Sequence, residues 1–454
     1  MKNNIIKSIG LLLIAGHLAS CDSKLDLLPR DSVAPELVGG AEGDKLLNGI
    51  YDAFQIGNIG SNYAYLSYVT EDLSADNLKY RATFFQHGEV DNNAILVDNV
   101  LVSRYFNFPY VAIQRANDLI EIVNGSSTIE EATKKKLLGS AYFFRAYGYY
   151  RLVTIFGAVP IALNRDIVEL PRNSVDEVYA QIINDLKLSI ENPAPFDNSN
   201  KVSVEAAKAL LARVYLIKGD KALAKQMATE VINSGKFAIE SSYANMFTTP
   251  FESREHIFKF ANTATEGDNS LDFFLQHPTM PGGGRAELPV DESLVSAYEE
   301  GDQRKAASIQ EIKAPTANPG WYSKKYQDPS GNGAHPYYIL RLSEMYLIVA
   351  ECDLTASPSN ALANINLVRK NRGLNNLSTV TLSDIIKERR VEFAFENLRW
   401  MDMRRTPSVS NPSKSMATVF LEAKKRSVND ELYPIPQSAI NTNSLLLPNN
   451  PGYN

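Results

Sequence analysis

The chain has 454 residues, of which 44% are apolar and 22% charged, with 46 basic against 52 acidic side chains and a net charge of −6. Modest acidity without a basic block excludes nucleic acid as a partner, and a chain of this length can bury a large core. Two cysteines, Cys21 and Cys352, leave the fold to rest on packing and not on a disulfide framework.

Residues 1–20 read as a cleaved signal. Lys2 and Lys7 form a positive start, and Ile9 to Ala15 is an apolar run too short to span a bilayer. Leu18-Ala19-Ser20-Cys21 resembles a bacterial lipobox, so cleavage before Cys21 and lipidation of its sulfur are expected. Loss of Lys2 and Lys7 with the signal takes the net charge from −6 to −8. Two or more acyl chains hold a protein at a membrane where a single chain does not. Residues 21–40, with Pro29, Pro35 and Gly39-Gly40, read as a lipid-anchored tether.

Helical periodicity follows in blocks. Glu42 to Phe54 places Leu46, Leu47, Ile50, Tyr51 and Phe54 on one stripe, and Tyr110 to Val123 carries another. Glu130 to Phe156 predicts a long helix ended by Gly157, and Ser174 to Ile190 a further one. Ser203 to Lys218 and Lys221 to Asn233 form a helical pair turning at Gly219-Asp220. Its Leu211, Ala212, Tyr215, Ala224, Ala228 and Val231 fall near the large–small offsets of a tetratricopeptide unit. A second pair is predicted over 338–354 and 359–370. Segments 57–105, 236–336 and 401–454 are irregular but rich in aromatics, which predicts packed loops and short strands over a helical scaffold. The fold class expected is mainly α: a tetratricopeptide-like repeat scaffold with a large loop-rich region. The divisions expected are 41–235 for the N-terminal part, 236–336 for a loop-rich ligand-side segment and 337–454 for the C-terminal part.

Three stretches carry a specific resemblance. They are Ala141-Tyr142-Phe143-Phe144-Arg145-Ala146-Tyr147-Gly148-Tyr149-Tyr150-Arg151; Leu340-Arg341-Leu342-Ser343-Glu344-Met345-Tyr346-Leu347 with Arg369 and Arg372-Gly373; and Ile386-Lys387-Glu388-Arg389-Arg390-Val391-Glu392-Phe393-Ala394-Phe395-Glu396 running into Arg399-Trp400. Together with the lipobox and the tail Leu432-Tyr433-Pro434-Ile435-Pro436, they resemble the SusD/RagB family of outer-membrane nutrient-binding lipoproteins. That resemblance implies a non-catalytic surface lipoprotein that binds oligosaccharide or another nutrient and delivers it to a SusC-like TonB-dependent transporter. It implies an outer-membrane location, with Asp26 fitting surface export, and no cofactor.

The residues themselves favour binding over catalysis. Glu388, Glu392 and Glu396 recur at four-residue spacing beside Arg389, Arg390 and Arg399, which predicts an ion-paired helix and not the flanking carboxylates of a glycosidase. Arg145 and Arg151 are expected to stack on tyrosines or reach carbonyls across a helix interface, among aromatics that read as core. His87, His256, His277 and His335 show no metal-ligand spacing, so no metal is expected. Cys352 lies in an apolar helical run and reads as an inert thiol. Sugar rings lie flat on exposed aromatic faces while polar neighbours bond their hydroxyls. Trp321 and Tyr322 in one loop, and Tyr63, Tyr65, Tyr80 and Phe84 with Asn62 and Asn77 in another aromatic-rich loop that also holds Phe85, are therefore the ligand candidates. Two alternatives stay open: a lipid-anchored glycoside hydrolase using Asp72, Asp76, Glu266 or Asp268, and a repeat scaffold that binds protein.

Overall fold

Several helical blocks of the sequence start at a side-chain cap, at Asn99, Ser174, Ser203 and Asp220, and bury an apolar face. The computed structural model describes residues 38–55, 63–81, 83–166, 168–248, 252–262, 271–326 and 335–453. The signal, Cys21, the tether up to residue 37, Asn62, Glu266 and Asp268 lie outside the described residues. Helices α1 (Gly40–Gln55), α2 (Tyr63–Ser74), α3 (Phe85–Asp91), α4 (Val100–Gly125), α5 (Glu131–Phe156), α6 (Val175–Glu191), α7 (Val204–Lys218) and α8 (Lys221–Asn233) come first. Strand β1 (His256–Phe260), helices α9 (Leu271–Leu275), α10 (Glu292–Ala297) and α11 (Gln303–Ser308), then strands β2 (Ile309–Ile312), β3 (Gly320–Ser323) and β4 (Tyr337–Arg341) follow. The chain ends through α12 (Leu342–Ala356), α13 (Pro358–Lys370), α14 (Leu382–Glu392), α15 (Arg399–Arg405), α16 (Met416–Ala423) and α17 (Gln437–Thr442).

The α7/α8 pair illustrates the repeat. Ser203 caps α7 by accepting from the Ala206 N–H, Gly219 takes a left-handed φ of 83° to end it, and Asp220 caps α8 from the Leu223 N–H. Ala206, Ala209, Ala212, Ala224 and Ala228 are wholly buried, so small side chains let the two helices approach closely. Packing then runs in series: α4 on α5, α5 on α6, α6 on α7, α7 on α8, α8 on α12 and α12 on α13. Each pair buries its remaining face on the next, as in a solenoid. The segment between α8 and α12 leaves the stack and returns to it through β1 and β4, an antiparallel pair with Phe260 opposite Tyr337 and Lys259 opposite Tyr338. Phe143 and Phe144 of α5 pack on Phe258 of β1 with ring centroids 5.1 and 6.1 Å apart. The aromatic stretch of α5 is thus core between stacked elements. No described helix is long and apolar enough to cross a membrane.

Four expectations are corrected. Helix α4 begins at Val100 and not Tyr110; Asn99 caps it, and Pro109 is carried inside because Leu101, Val102, Tyr105 and Phe106 bury the added turns. Residues 338–341 belong to strand β4, all of them buried, because their backbone pairs with β1. Segment 57–105 contains α2 and α3 as well as the start of α4, and 401–454 contains α16 and α17. Helix α14 stops at Glu392, because Phe395 and Asn397 take positive φ of 64° and 55°; Glu396 sits in the turn beyond it.

The charge pairing also differs from the local one expected. The acids pair with distant bases: Glu388 with Arg304 and Arg369, Glu392 with Arg304, Arg341 and Arg372, and Glu396 with Lys325 and Arg341. Arg389 pairs with Asp402, and Arg390 and Arg399 with Asp76. Arg145 forms a two-pronged pair with Asp185 on α6 at 2.7 and 2.9 Å and lies over the Tyr142 ring at 5.4 Å. Arg151 contacts Glu71, Tyr63 and Tyr105. Cys352 is half-buried on α12, and burial pushes its thiol up to about 12, which leaves it unreactive at neutral pH.

Candidate functional site

Three loop segments are stitched side by side by backbone hydrogen bonds. Lys79 and Arg81 donate to the carbonyls of Pro289 and Glu287 at 2.9 and 3.0 Å, and Val290 donates to that of Trp321 at 2.8 Å. Segment 285–290 therefore lies between residues 78–84 and strand β3. Strand β3 pairs with β2, placing Trp321 opposite Glu311. A small apolar cluster of Met280, Ala286, Ile312 and Tyr322 anchors these loops from below. The turn at Gly282–Gly284 is obligatory: Gly282 and Gly283 have φ of 90° and 63°, and a Cβ on Gly284 would lie 2.2 Å from the Gln276 carbonyl oxygen.

A buried carboxylate fixes the aromatic loop. Glu287 accepts from the Phe84 N–H and the Thr83 hydroxyl, both at 3.0 Å, and from His87 Nδ1 at 3.1 Å. Burial raises its carboxyl, but these hydrogen bonds outweigh it and hold the group below its ordinary range. Burial lowers His87 in turn, so its neutral ring donates from Nδ1 to Glu287 while Nε2 accepts from the Tyr65 hydroxyl. This Glu–His–Tyr chain has the composition of a proton relay. Tyr65, however, is wholly buried and stacked on Phe274 at 4.4 Å, so the chain holds the loop in shape.

What this framework presents is aromatic and cationic. Phe85 stands 64% exposed. Phe84, Tyr80, Phe273 and Trp321 are half-buried. Arg81 donates to the Tyr322 hydroxyl at 2.6 Å and the Pro319 carbonyl at 2.9 Å, tying residues 78–84 to the Trp321 loop. Arg285 is exposed, lies 5.5 Å over the Phe273 ring and donates to Thr83 at 2.9 Å. Lys305 lies 5.2 Å over the Trp321 ring. Flat ring faces beside oriented guanidinium donors can take the C–H face of a pyranose and bond its hydroxyl oxygens.

The sequence candidates divide on this geometry. Trp321, Tyr80 and Phe84 are half-buried on these segments. Four are corrected, Tyr322 among them: Tyr63, Tyr65 and Asn77 are buried, Tyr63 accepting from Arg151 and Asn77 bonded to Asp72 and Arg390. Tyr322 is buried as well and acts as the pin for Arg81, its own hydroxyl donating to the Asn318 carbonyl at 2.9 Å. Aromatic side chains in irregular segments are as useful to pin a loop as to bind a ligand, and only burial separates the two. Arg81, Arg285 and Glu287 were missed; no sequence spacing marks them, because they act across segments.

Of the carboxylates considered for hydrolysis, Asp76 is spent on Arg399 at 2.7 and 2.8 Å. Asp72 is wholly buried, with the Asn77 amide on one oxygen. Burial pushes its carboxyl up to about 7, against the lowering by Asn77. A carboxyl raised on folding stabilises the protein fully below its unfolded value and loses that contribution as pH rises through its folded value, so the window runs from about pH 4 to pH 7. Asp72→Asn is expected to gain on the parent protein as pH rises through that window, by up to about 4 kcal/mol at 1.36 kcal/mol per unit. Thermal melts across the window check it; parallel curves for the two proteins would refute it.

Comparison with known proteins adds a family and a fold. A family model described as "SusD family" matches residues 191–453, and one described as "Starch-binding associating with outer membrane" matches residues 35–216. Among characterised sequences, "SusD-like protein P2" of Formosa agariphila is 27% identical with both chains covered in full, and a "SusD-like protein" of Bacteroides ovatus is 28% identical over 65% of this chain and 63% of its own. Among solved structures, a "Laminarin binding SusD-like protein" superposes with a TM-score of 0.79 at 24% identity, covering 91% of this chain and 99% of its own. "Surface glycan-binding protein A from Bacteroides thetaiotaomicron in complex with laminarihexaose" gives 0.75 at 19% identity, covering 91% and 100%.

Proposed function

This chain belongs to the SusD family, and from that premise we propose that it is an outer-membrane lipoprotein that binds oligosaccharide at the cell surface and passes it to a SusC-like TonB-dependent transporter, without catalysis of its own. The observation that carries the reading is the aromatic and arginine-bearing face built on residues 79–87, 283–290 and 318–323. Trp321, Phe84 and Tyr80, with the exposed Phe85, supply ring faces, and Arg81 and Arg285 supply hydroxyl-directed donors. Structural neighbours described as laminarin-binding and as surface glycan-binding support the ligand class, and the outer-membrane description of the second family model supports the location. Lipidation of Cys21 would supply the anchor.

Affinity electrophoresis against a panel of polysaccharides, with laminarin first, tests it. The protein is expected to be retarded by at least one glycan, and Trp321→Ala to weaken that retardation about tenfold, as loss of one stacking face costs on the order of 1 kcal/mol or more. Unchanged retardation of the variant would remove Trp321 from the site. Release of reducing ends from any panel member would overturn the non-catalytic reading in favour of a hydrolase.

A further inference from the structure

A cavity of about 400 Å³ opens between α10, α14 and the loop that joins α15 to α16. It shares no residue with segments 79–87, 283–290 and 318–323. The loop is held in shape: Pro407 bridges Ser415, Ser408 donates to the Lys414 carbonyl and Met416 to that of Thr406, both at 2.8 Å. Ile386, Met416 and Val409, the last 79% exposed, give the cavity an apolar wall.

The charged side chains on its lining are all of one sign: Lys387, Arg390 and Arg399. The acids behind them are shared. Asp76 answers Arg399 at 2.7 Å and Arg390 at 3.3 Å, so two guanidinium groups meet one carboxylate. Glu299 serves Arg369 at 2.9 Å as well as Lys387 at 3.0 Å. Asp402 near Arg399 and Asp291 near Arg390 are held by other bases, Arg389 and Lys79, at 2.8 and 3.1 Å. Positive charge is therefore left over at this wall.

Arg399 is 6% exposed, with Nε and Nη2 committed to the two oxygens of Asp76 at 2.7 and 2.8 Å. Its Nη1 carries two further N–H groups, has no hydrogen-bond partner among the described residues and is not closed off from solvent. A buried guanidinium with an unused edge gains most from a carboxylate, which takes charge-assisted hydrogen bonds in the guanidinium plane. The apolar wall beside it selects what the carboxylate is attached to. A phosphate or a sugar acid would set polar oxygens against Ile386, Val409 and Met416, whereas a hydrocarbon chain is covered there.

We propose that this cavity binds a small aliphatic carboxylate, with its oxygens on Arg399 Nη1 and its chain along Ile386, Val409 and Met416. The site stands apart from the aromatic face and holds whatever that face binds.

Calorimetric titration of the full chain with hexanoate, and with hexan-1-ol as its neutral counterpart, tests the site. Hexanoate is expected to bind saturably at millimolar concentration. Hexan-1-ol, D-glucuronate and inorganic phosphate are expected to bind about tenfold more weakly or not at all, each lacking either the charge or the apolar chain. Arg399→Gln is expected to weaken hexanoate about tenfold, as loss of a charge-assisted hydrogen bond does. Because that change also loosens Asp76, Val409→Glu is the second variant. Its exposed position leaves the fold and Tm unchanged, and a carboxylate at the mouth weakens hexanoate about fivefold by like-charge repulsion. Trp321→Ala is expected to bind hexanoate as the parent protein does. The site is overturned by no saturable heat with hexanoate, by hexan-1-ol binding as tightly, by phosphate or glucuronate binding in its place, or by unchanged affinity in folded Val409→Glu. Failure of glycan retardation by the aromatic face would leave these outcomes untouched.

Discussion

Glu392→Ala is expected to destabilise the protein by about 3–5 kcal/mol, the range for leaving buried charges uncompensated. Glu392 is wholly buried at the end of α14, and its two oxygens receive three guanidinium groups. Arg372 donates to both at 2.8 and 3.0 Å, Arg341 to one at 2.9 Å and Arg304 to the other at 3.0 Å. Burial opposes the charge, but Arg372, Arg341 and Arg304 together hold the carboxyl well below its usual range. Removing it leaves three buried cations sharing fewer counter-ions, while Glu255, bonded to Arg341 and Arg372 at 2.8 and 2.9 Å, cannot move to replace it without abandoning its own contacts. Glu392→Gln, which keeps the shape and one acceptor, is expected to cost less. Urea unfolding followed by circular dichroism checks the order; a loss under about 1 kcal/mol for the alanine variant would show that the network is not cooperative.

Gly139→Ala is expected to cost about 2–4 kcal/mol, near or above the upper end for overpacking, because the obstacle is main chain. A Cβ built at Gly139 on α5 lies 2.0 Å from the Asn192 carbonyl oxygen and 3.3 Å from that of Ser189. The Gly139 carbonyl itself accepts from the Ser189 hydroxyl at 2.7 Å, so the end of α6 is fastened to α5 at that spot. Room for a methyl group requires the two helices to separate. Gly49→Ala on α1 is the control: nothing lies within 4 Å of its Cβ position, and removing glycine's backbone freedom is expected to raise stability by about 0.5–1 kcal/mol. Opposite signs in paired thermal melts confirm the reading; equal effects would overturn it.

Helix positions were legible where a cap and an apolar stripe coincided. Ser174, and Ser203 with Gly219, mark their helices to within a residue, because capping is local chemistry. The start of α4 was misplaced because Pro109 reads as a local boundary, while the packing that carries the helix through it is tertiary. Strand β4 was read as helix for the same reason: Tyr337–Arg341 is apolar in either conformation, and only its pairing with β1 selects the strand. In the candidate site, Trp321 was visible as a lone loop tryptophan. Tyr63 and Tyr65 looked equivalent to Tyr80, since sequence carries composition but not the direction in which a loop faces.

By itself the sequence determined the helical repeat and the family resemblance, since periodicity, caps and motif order are properties of neighbours along the chain. It also determined that the loops would be packed, from their aromatic content. Only the tertiary structure decided which aromatics are surface and which are pins, and that Glu388, Glu392 and Glu396 answer to Arg304, Arg341, Arg372 and Lys325 and not to the arginines beside them. The physical reason is the same in both cases. A charge or a ring inside a protein is stabilised by whatever lies within a few ångströms, and in this chain those partners are brought from segments tens to hundreds of residues away.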